Sequence, residues 1–312
     1  MAYISIFSTP FLLYELIVVA FTPAPLQEFR VPILSDEYIR SHVANALAED
    51  IGSGDATTNA IINANHRSAA VITTREEIVL CGVPLVKEVF NQLDPECEIQ
   101  SLKEDGHQVE EGGNILSIMA TTRALLAGER TALNFIQRLS GIATLVSLYA
   151  EEVKGSKALV LDTRKTTPGW RLLEKYAVQC GGGRNHRRGL DDMIMIKDNH
   201  LASMDGPNRI ARAIDLARKS SPELKIEVEA DTIIQAKQAA EAGADIILLD
   251  NMSVDELREA ISVIDNRSQI EASGRVNIDN INQIASTGVN YISVGAITHS
   301  APAIDVSLKI LK

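Results

Sequence analysis

Between residues 158 and 294, short apolar runs alternate with amphipathic stretches. Residues 158–161, 193–196, 225–229, 245–249, 269–272 and 291–294 are brief and rich in Ile, Val and Leu, as strands with little solvent exposure are. Between them, residues 172–178, 209–218, 233–242, 254–264 and 278–287 repeat apolar positions at helical spacing. This alternation predicts a parallel sheet with helices outside it. Each predicted strand also runs into functional residue types: Arg164-Lys165, Lys197, Glu229, Asp250-Asn251, Ser273-Gly274 and Gly295. Such a series favours the C-terminal mouth of an α/β barrel over a doubly wound sheet. No Gly-rich dinucleotide fingerprint and no P-loop is present.

Upstream the rhythm changes. Ser35-Asp36-Glu37 followed by Ile39, Val43, Ala46 and Leu47 predicts a capped amphipathic helix. Residues 69–74, 77–84, 97–102 and 114–120 predict short strands, with a helix over 85–93. Gly106-His107-Gln108-Val109 and Gly112-Gly113 punctuate hairpins. Their spacing is close to that of a lipoyl-type hammerhead, but no modifiable lysine occupies the turn, so turn chemistry accounts for it. Residues 121–153 are helical, and Ser140-Gly141 predicts a break or a close contact between two helices. Together these pieces predict an α+β sandwich-like unit ahead of the barrel.

Composition narrows the function classes. The 312 residues suffice for one large domain and a smaller one, and a net charge of -11 argues against broad binding to nucleic acid or an anionic membrane. Three cysteines without metal or redox spacing imply a reduced, cytosol-like compartment. Residues 4–21 are apolar but interrupted by Pro10 and Glu15, with no Lys or Arg before Arg30. A secretory signal, a transit peptide and a membrane span each fit this stretch poorly. It reads as an extension from an upstream start, with a weak membrane anchor as the alternative.

Against this acidic background residues 162–200 are locally basic, the footprint expected of a small anionic ligand. Gly181-Gly182-Gly183 lets backbone approach a ligand, and His186 adds a donor that can change charge. The bland alternative is a solvated, salt-laced loop. Glu227 and Glu229 share one strand face, where carboxylates need cations or a metal to meet them. Asp250 can join Glu229 around a water-rich Mg²⁺, and an ion pair with Lys165 or Lys197 is an equal alternative. Zinc does not suit the spacing of His186, His200 and His299. Glycine at Gly274 and Gly295 exposes backbone amides of the kind that bind phosphate at barrel mouths. A phosphorylated sugar meeting a small polyanionic acid fits this inventory.

The segments ERTALNFIQRLSGIAT, DTRKTTPG, GGGRNHR, IKDNH, IEVEAD, LLDNM, EASG and VGAITHS occur in this order. They resemble the quinolinate phosphoribosyltransferases, the carboxylating nicotinate-nucleotide pyrophosphorylases, from about Leu34 to the C-terminus. The resemblance implies an open TIM-like α/β barrel with an N-terminal α+β sandwich domain. It divides the chain into an extension (1–33), the sandwich (34–140), the barrel (141–298) and a C-terminal segment returning to the N-terminal domain (299–312). It implies a decarboxylating reaction of quinolinate with phosphoribosyl pyrophosphate, in NAD biosynthesis, with Mg²⁺ as cofactor. It implies a cytoplasmic homodimer, or an assembly of dimers, whose active sites are shared between subunits.

Carried over by motif, Arg130 would reach the partner subunit's site. Arg164, Arg187 and Lys197 would bind the quinolinate carboxylates, with His186 nearby. Lys165 would stand between substrate and sugar phosphates, with Thr166 beside it. Glu229 and Asp250 would face the ribose and its metal, the metal held directly or through water, and with Lys165 form the catalytic set. Ser273, Gly274 and Gly295 would cradle the 5′-phosphate. Arg275, counted with the substrate-binding residues, departs from the small residue usual after Ser-Gly, and Trp170 from a smaller apolar residue, which reads as packing. A related phosphoribosyltransferase acting without decarboxylation would need fewer cations, and a non-catalytic barrel would have lost Glu229, Asp250 or Lys165.

Overall fold

A computed structural model describes residues 34–311; the sequence-based reading of residues 1–33 lies outside the described residues. The chain opens with α1 (Asp36–Ile51), α2 (Ala56–Ile61), β1 (Arg67–Thr74), β2 (Ile78–Val79), α3 (Val83–Leu93), β3 (Glu98–Ser101), β4 (Gln108–Val109), β5 (Asn114–Thr121) and α4 (Thr122–Glu152). The second half runs β6 (Leu159–Leu161), α5 (Arg171–Cys180), β7 (Ile194–Ile196), α6 (Asp198–Ala202), α7 (Arg209–Ser220), β8 (Ile226–Ala230) and α8 (Ile233–Glu241). It closes with β9 (Ile246–Asp250), α9 (Val254–Ile264), β10 (Gln269–Ser273), α10 (Ile281–Ser286), β11 (Tyr291–Ser293), α11 (Ala296–His299) and β12 (Val306–Ile310).

Local chemistry explains where helices begin. Ser35 accepts the Tyr38 amide at 3.2 Å, and Asp36 and Glu37 complement the first turn of α1. Ile39, Val43 and Leu47 then fall on one buried face. Thr232 with Gln235, and Ser253 with Glu256, cap α8 and α9 reciprocally. In β1, Ala70, Ile72 and Thr74 point inward while their neighbours face partly outward, the two-residue alternation of a sheet covered on one side.

The N-terminal sheet is antiparallel in the order β12-β1-β5-β3. Its outer strand comes from the end of the chain: Ile72 pairs with Leu308 and Thr74 with Val306. β2 and β4 form a separate two-stranded ribbon, Ile78 opposite Val109. The second sheet is parallel in the order β6-β11-β10-β9-β8-β7. It does not close strand to strand between β6 and β7. Instead Arg184 bridges to β6, giving its amide to the Val160 carbonyl at 2.8 Å and accepting the Asp162 amide at 3.1 Å. The segment from Arg184 to β7 therefore crosses the opening of the barrel and carries His186 and Arg187 over it.

Two expectations change. α4 is unbroken through Ser140-Gly141; these small residues serve close contacts instead. Ser140 Oγ accepts the Cys81 amide and donates to the Cys81 carbonyl, and a Cβ at Gly141 would collide with the Pro302 carbonyl. The apolar run at 77–84 yields only the two-residue β2, because Gly82 turns the chain (φ 115°) into α3. Helices α2, α6 and α11, each of at most six residues, are too short for a periodic signal. Among the described residues no helix is long and apolar enough to cross a membrane.

Candidate active site

The carboxyl ends of the parallel strands gather around a cavity of about 460 Å³. Its wall includes Arg164, Lys165, His186, Arg187, Lys197, Glu229, Asp250 and Ser273, all chosen from sequence. Thr163, Met195, Leu248, Glu271 and Ser293 complete it and were not chosen. Four of these five stand two residues before a mouth residue: Met195 before Lys197, Leu248 before Asp250, Glu271 before Ser273, Ser293 before Gly295. A strand turns alternate side chains to the same face, so extending each mouth position by two would have found the floor.

Opposite charges are paired inside this cavity. Lys197 forms an ion pair with Glu229, the partner that the ion-pair alternative named. Asp250 accepts from the Asn251 amide group at 2.6 Å. The guanidinium of Arg187 donates to the Met193 carbonyl at 3.2 Å; burial and the nearby Arg164 lower its affinity for its proton. Among the described residues, Arg164 keeps a buried Nε without a hydrogen-bond partner. A buried charged donor left unpaired is costly, and an anionic ligand would remove the cost.

Beneath the mouth, His186 meets two buried carboxylates. Its Nε2 lies 2.9 Å from Glu227 and 3.5 Å from Glu271, ion-pair distances without hydrogen-bond alignment. Burial works against a charged imidazole, and the negative charge that Glu271 gains once it ionises, with that of Glu227, outweighs it, lifting His186 to about 9. The Arg187 amide, however, donates to Nδ1 at 2.7 Å, which requires a lone pair there. The arrangement at hand is thus the neutral Nε2–H form, and a second proton must displace the Arg187 amide. Burial, then the charge of Glu227, pushes Glu271 up to about 8, so Glu271 keeps its proton at neutral pH.

The loops bearing these groups are fixed by a fully buried network. Lys175 donates to Asp162 at 2.5 Å and to the His186 carbonyl at 2.8 Å. Asp162 also accepts the His186 amide at 2.8 Å and the Asn185 side chain at 2.6 Å. One carboxylate therefore ties the turn carrying Arg164 and Lys165 to the strap carrying His186 and Arg187. Nothing in the sequence marks this network, since a buried lysine in a helix looks like any surface lysine.

The remaining candidates sit elsewhere. Arg130 is exposed on α4 and does not line the cavity. Thr166 accepts from Arg171 Nε at 3.1 Å, ordering the turn after β6 rather than lining the wall. Gly274 has φ 92° and lies so close to Asn251 that no Cβ fits. Arg275 follows it, left-handed (φ 51°) and exposed. Gly295 faces Lys165, whose Cδ would lie 3.0 Å from an added Cβ. His200 and His299 have local roles, accepting the Lys197 amide and bonding Ser300. Trp170 stacks on Phe135 at 5.3 Å and meets His42 edge-on at 5.5 Å, as packing requires.

Residues 55–140 match the N-terminal domain of quinolinate phosphoribosyl transferase, and residues 142–309 match its C-terminal domain. A chloroplastic nicotinate-nucleotide pyrophosphorylase (carboxylating) of Arabidopsis thaliana is 38% identical over 289 residues, 87% of this chain and 82% of that protein. A mitochondrial quinolinate phosphoribosyltransferase (decarboxylating) of Nicotiana tabacum is 38% identical over 282 residues, 85% of this chain and 80% of its own. The solved nicotinate-nucleotide pyrophosphorylase of Francisella tularensis superposes with a TM-score of 0.84 at 41% identity, covering 91% of this chain and 99% of that one.

Proposed function

The chain belongs to the quinolinate phosphoribosyltransferase family, and from that premise we propose that the barrel-mouth cavity is where its two substrates react. The activity is that of a decarboxylating phosphoribosyltransferase: quinolinate and phosphoribosyl pyrophosphate give nicotinate mononucleotide, pyrophosphate and CO₂, a step of NAD biosynthesis. One observation carries the assignment of the site. A single cavity combines Arg164, Arg187 and Lys197 with Glu229 and Asp250, cations for a dicarboxylate beside carboxylates for a developing cation.

Arg164, Arg187 and Lys197 hold the two quinolinate carboxylates, and the unpaired Nε of Arg164 supports that role. Binding exchanges the Lys197–Glu229 pair for two ligand contacts, freeing Glu229 to face the ribose. Glu229 and Asp250 stabilise positive charge as the bond from C1 to pyrophosphate breaks. The pyridine nitrogen attacks C1 and becomes cationic, that charge stabilises the carbanion left when the adjacent carboxylate departs as CO₂, and a proton from solvent then takes its place on the ring carbon. Fixed arginines keep the second carboxylate in place, which makes the loss selective. Lys165 meets the sugar phosphates, and Ser273, Gly274 and Gly295 form the cradle for the 5′-phosphate, where Gly274 admits no side chain.

Glu229 and Asp250 also suit Mg²⁺. They end adjacent strands and offer hard carboxylate oxygens, the donors of an ion that keeps several waters. When bound, Mg²⁺ would neutralise charge on the departing pyrophosphate. The proposal extends to a dimer in which Arg130 reaches the site of a second copy, supported by its exposure on α4 outside the cavity wall. It extends also to a reducing, cytoplasmic setting, which three free thiols support.

Purified protein given quinolinate, phosphoribosyl pyrophosphate and Mg²⁺ should release CO₂ and nicotinate mononucleotide, and should give nothing with nicotinate. Product from nicotinate alone would replace the dicarboxylate reading. Folded protein silent on both would mark a non-catalytic barrel.

A further inference from the structure

Cysteines without metal spacing along the chain come together in the fold. Cys81 stands between β2 and α3, Cys180 closes α5, and Asp105 lies in the turn between β3 and β4. Their two sulfurs and a carboxylate oxygen all lie within 4.8 Å of one another. We propose that Cys81, Cys180 and Asp105 bind one thiophilic divalent cation of the zinc class, clamping the N-terminal layer to the barrel.

The spacing suits the ion. Zinc holds sulfur at about 2.3 Å, and tetrahedral geometry then sets two sulfurs roughly 3.8 Å apart. A ligand set whose atoms all lie within 4.8 Å of one another is compatible with that arrangement. The ligands are also held from behind. Asp105 Oδ1 accepts the Val83 amide at 3.0 Å, while Oδ2 accepts the Gly82 amide at 3.0 Å and the Tyr176 hydroxyl at 2.8 Å. Such bonds orient a ligating carboxylate, and Oδ1 retains a lone pair for the ion. Cys81 is fixed by the two bonds of its backbone to Ser140, at 2.9 and 3.1 Å.

A second cavity, of about 570 Å³, is lined by Cys180 with Gly181 and Gly182 and by Lys103 and His107; a fourth ligand such as water would come from that side. A bound divalent ion holds its cysteine ligands as thiolates and so releases their protons. Two sulfurs exclude Mg²⁺ as the natural occupant, and none of the three residues lines the barrel-mouth cavity. The clamp is therefore separate from the reaction's own metal.

The test uses the full chain, reduced, stripped with a chelator and titrated with Co²⁺ as a spectroscopic probe. One equivalent should bind with a thiolate-to-cobalt charge-transfer band that Zn²⁺ abolishes. Affinity should rise roughly tenfold or more per pH unit as thiol protons are displaced. Cys180→Ser should lose the band, weaken Zn²⁺ binding at least tenfold, and lose the rise in thermal midpoint that Zn²⁺ gives the parent, with turnover of quinolinate unchanged. If Cys180→Ser fails to fold, alkylating Cys180 in the folded parent should give the same losses. A parent protein without the band, or a band that survives loss of the Cys180 thiol, overturns the site.

Discussion

Glu271 and Lys175 are ionisable side chains with almost no exposure, and their neighbours determine what each can do. Glu271, lifted by burial and by Glu227, titrates near 8 rather than 4.5. The unfolded chain releases this proton near 4.5 and the folded chain holds it until about 8. Its contribution to stability is therefore complete below 4.5 and lost as pH rises to 8, with a slope of up to about 1.4 kcal/mol per pH unit. Glu271→Gln should flatten that part of the stability curve, measured as thermal midpoint from pH 4.5 to 9 against the parent. Lys175 is the converse: its replacement by Met strands Asp162 without its cation. Lys175→Met should cost about 3–5 kcal/mol and raise the KM for quinolinate, because Asp162 also holds the His186 amide. Combined with Asp162→Asn it should cost less than the sum of the two, as chemical denaturation of the three variants would measure.

At the level of elements, period and capping left clear marks in the sequence. The six parallel strands and the longer helices between them could be read, because each buries a face or a run that repeats at 2 or 3.6 residues. The continuity of α4 could not. Gly within a helix ordinarily weakens it by roughly 0.5–1 kcal/mol relative to Ala, which makes Ser140-Gly141 look like a break. Here Pro302, from 161 residues farther along, presses its carbonyl on Gly141. Gly141→Ala should accordingly destabilise the protein by about 1–3 kcal/mol, the opposite sign from an exposed helix position. Urea unfolding of this variant beside an Ala replacement at an exposed site in α4 would measure the difference. The strap from Arg184 to β7 escaped reading for a related reason: its one bridge to β6 has no periodicity.

For the molecule as a whole, the exposed Arg130 and the cavity it does not line turn the two-copy proposal into a mixing experiment. Arg130→Ala and Lys197→Ala should each abolish turnover, yet recover about a quarter of parental activity per site when subunits exchange at equal amounts. Verified exchange with no recovery would rule out a shared site. By itself, the amino-acid sequence determined the alternation of strand and helix, the acidic chain with one basic region, and the mouth residues. All of these follow from local period and from the strand ends at which charged side chains stand. Tertiary structure decided which charges meet. Lys197 pairs with Glu229, His186 lies against Glu227 and Glu271, Lys175 is buried on Asp162, Cys81 lies near Cys180, and β12 returns to β1. Each of these contacts joins separate elements, and the β12–β1 return spans over two hundred residues. Such contacts depend on packing and on the closure of the chain, for which a linear pattern carries no period.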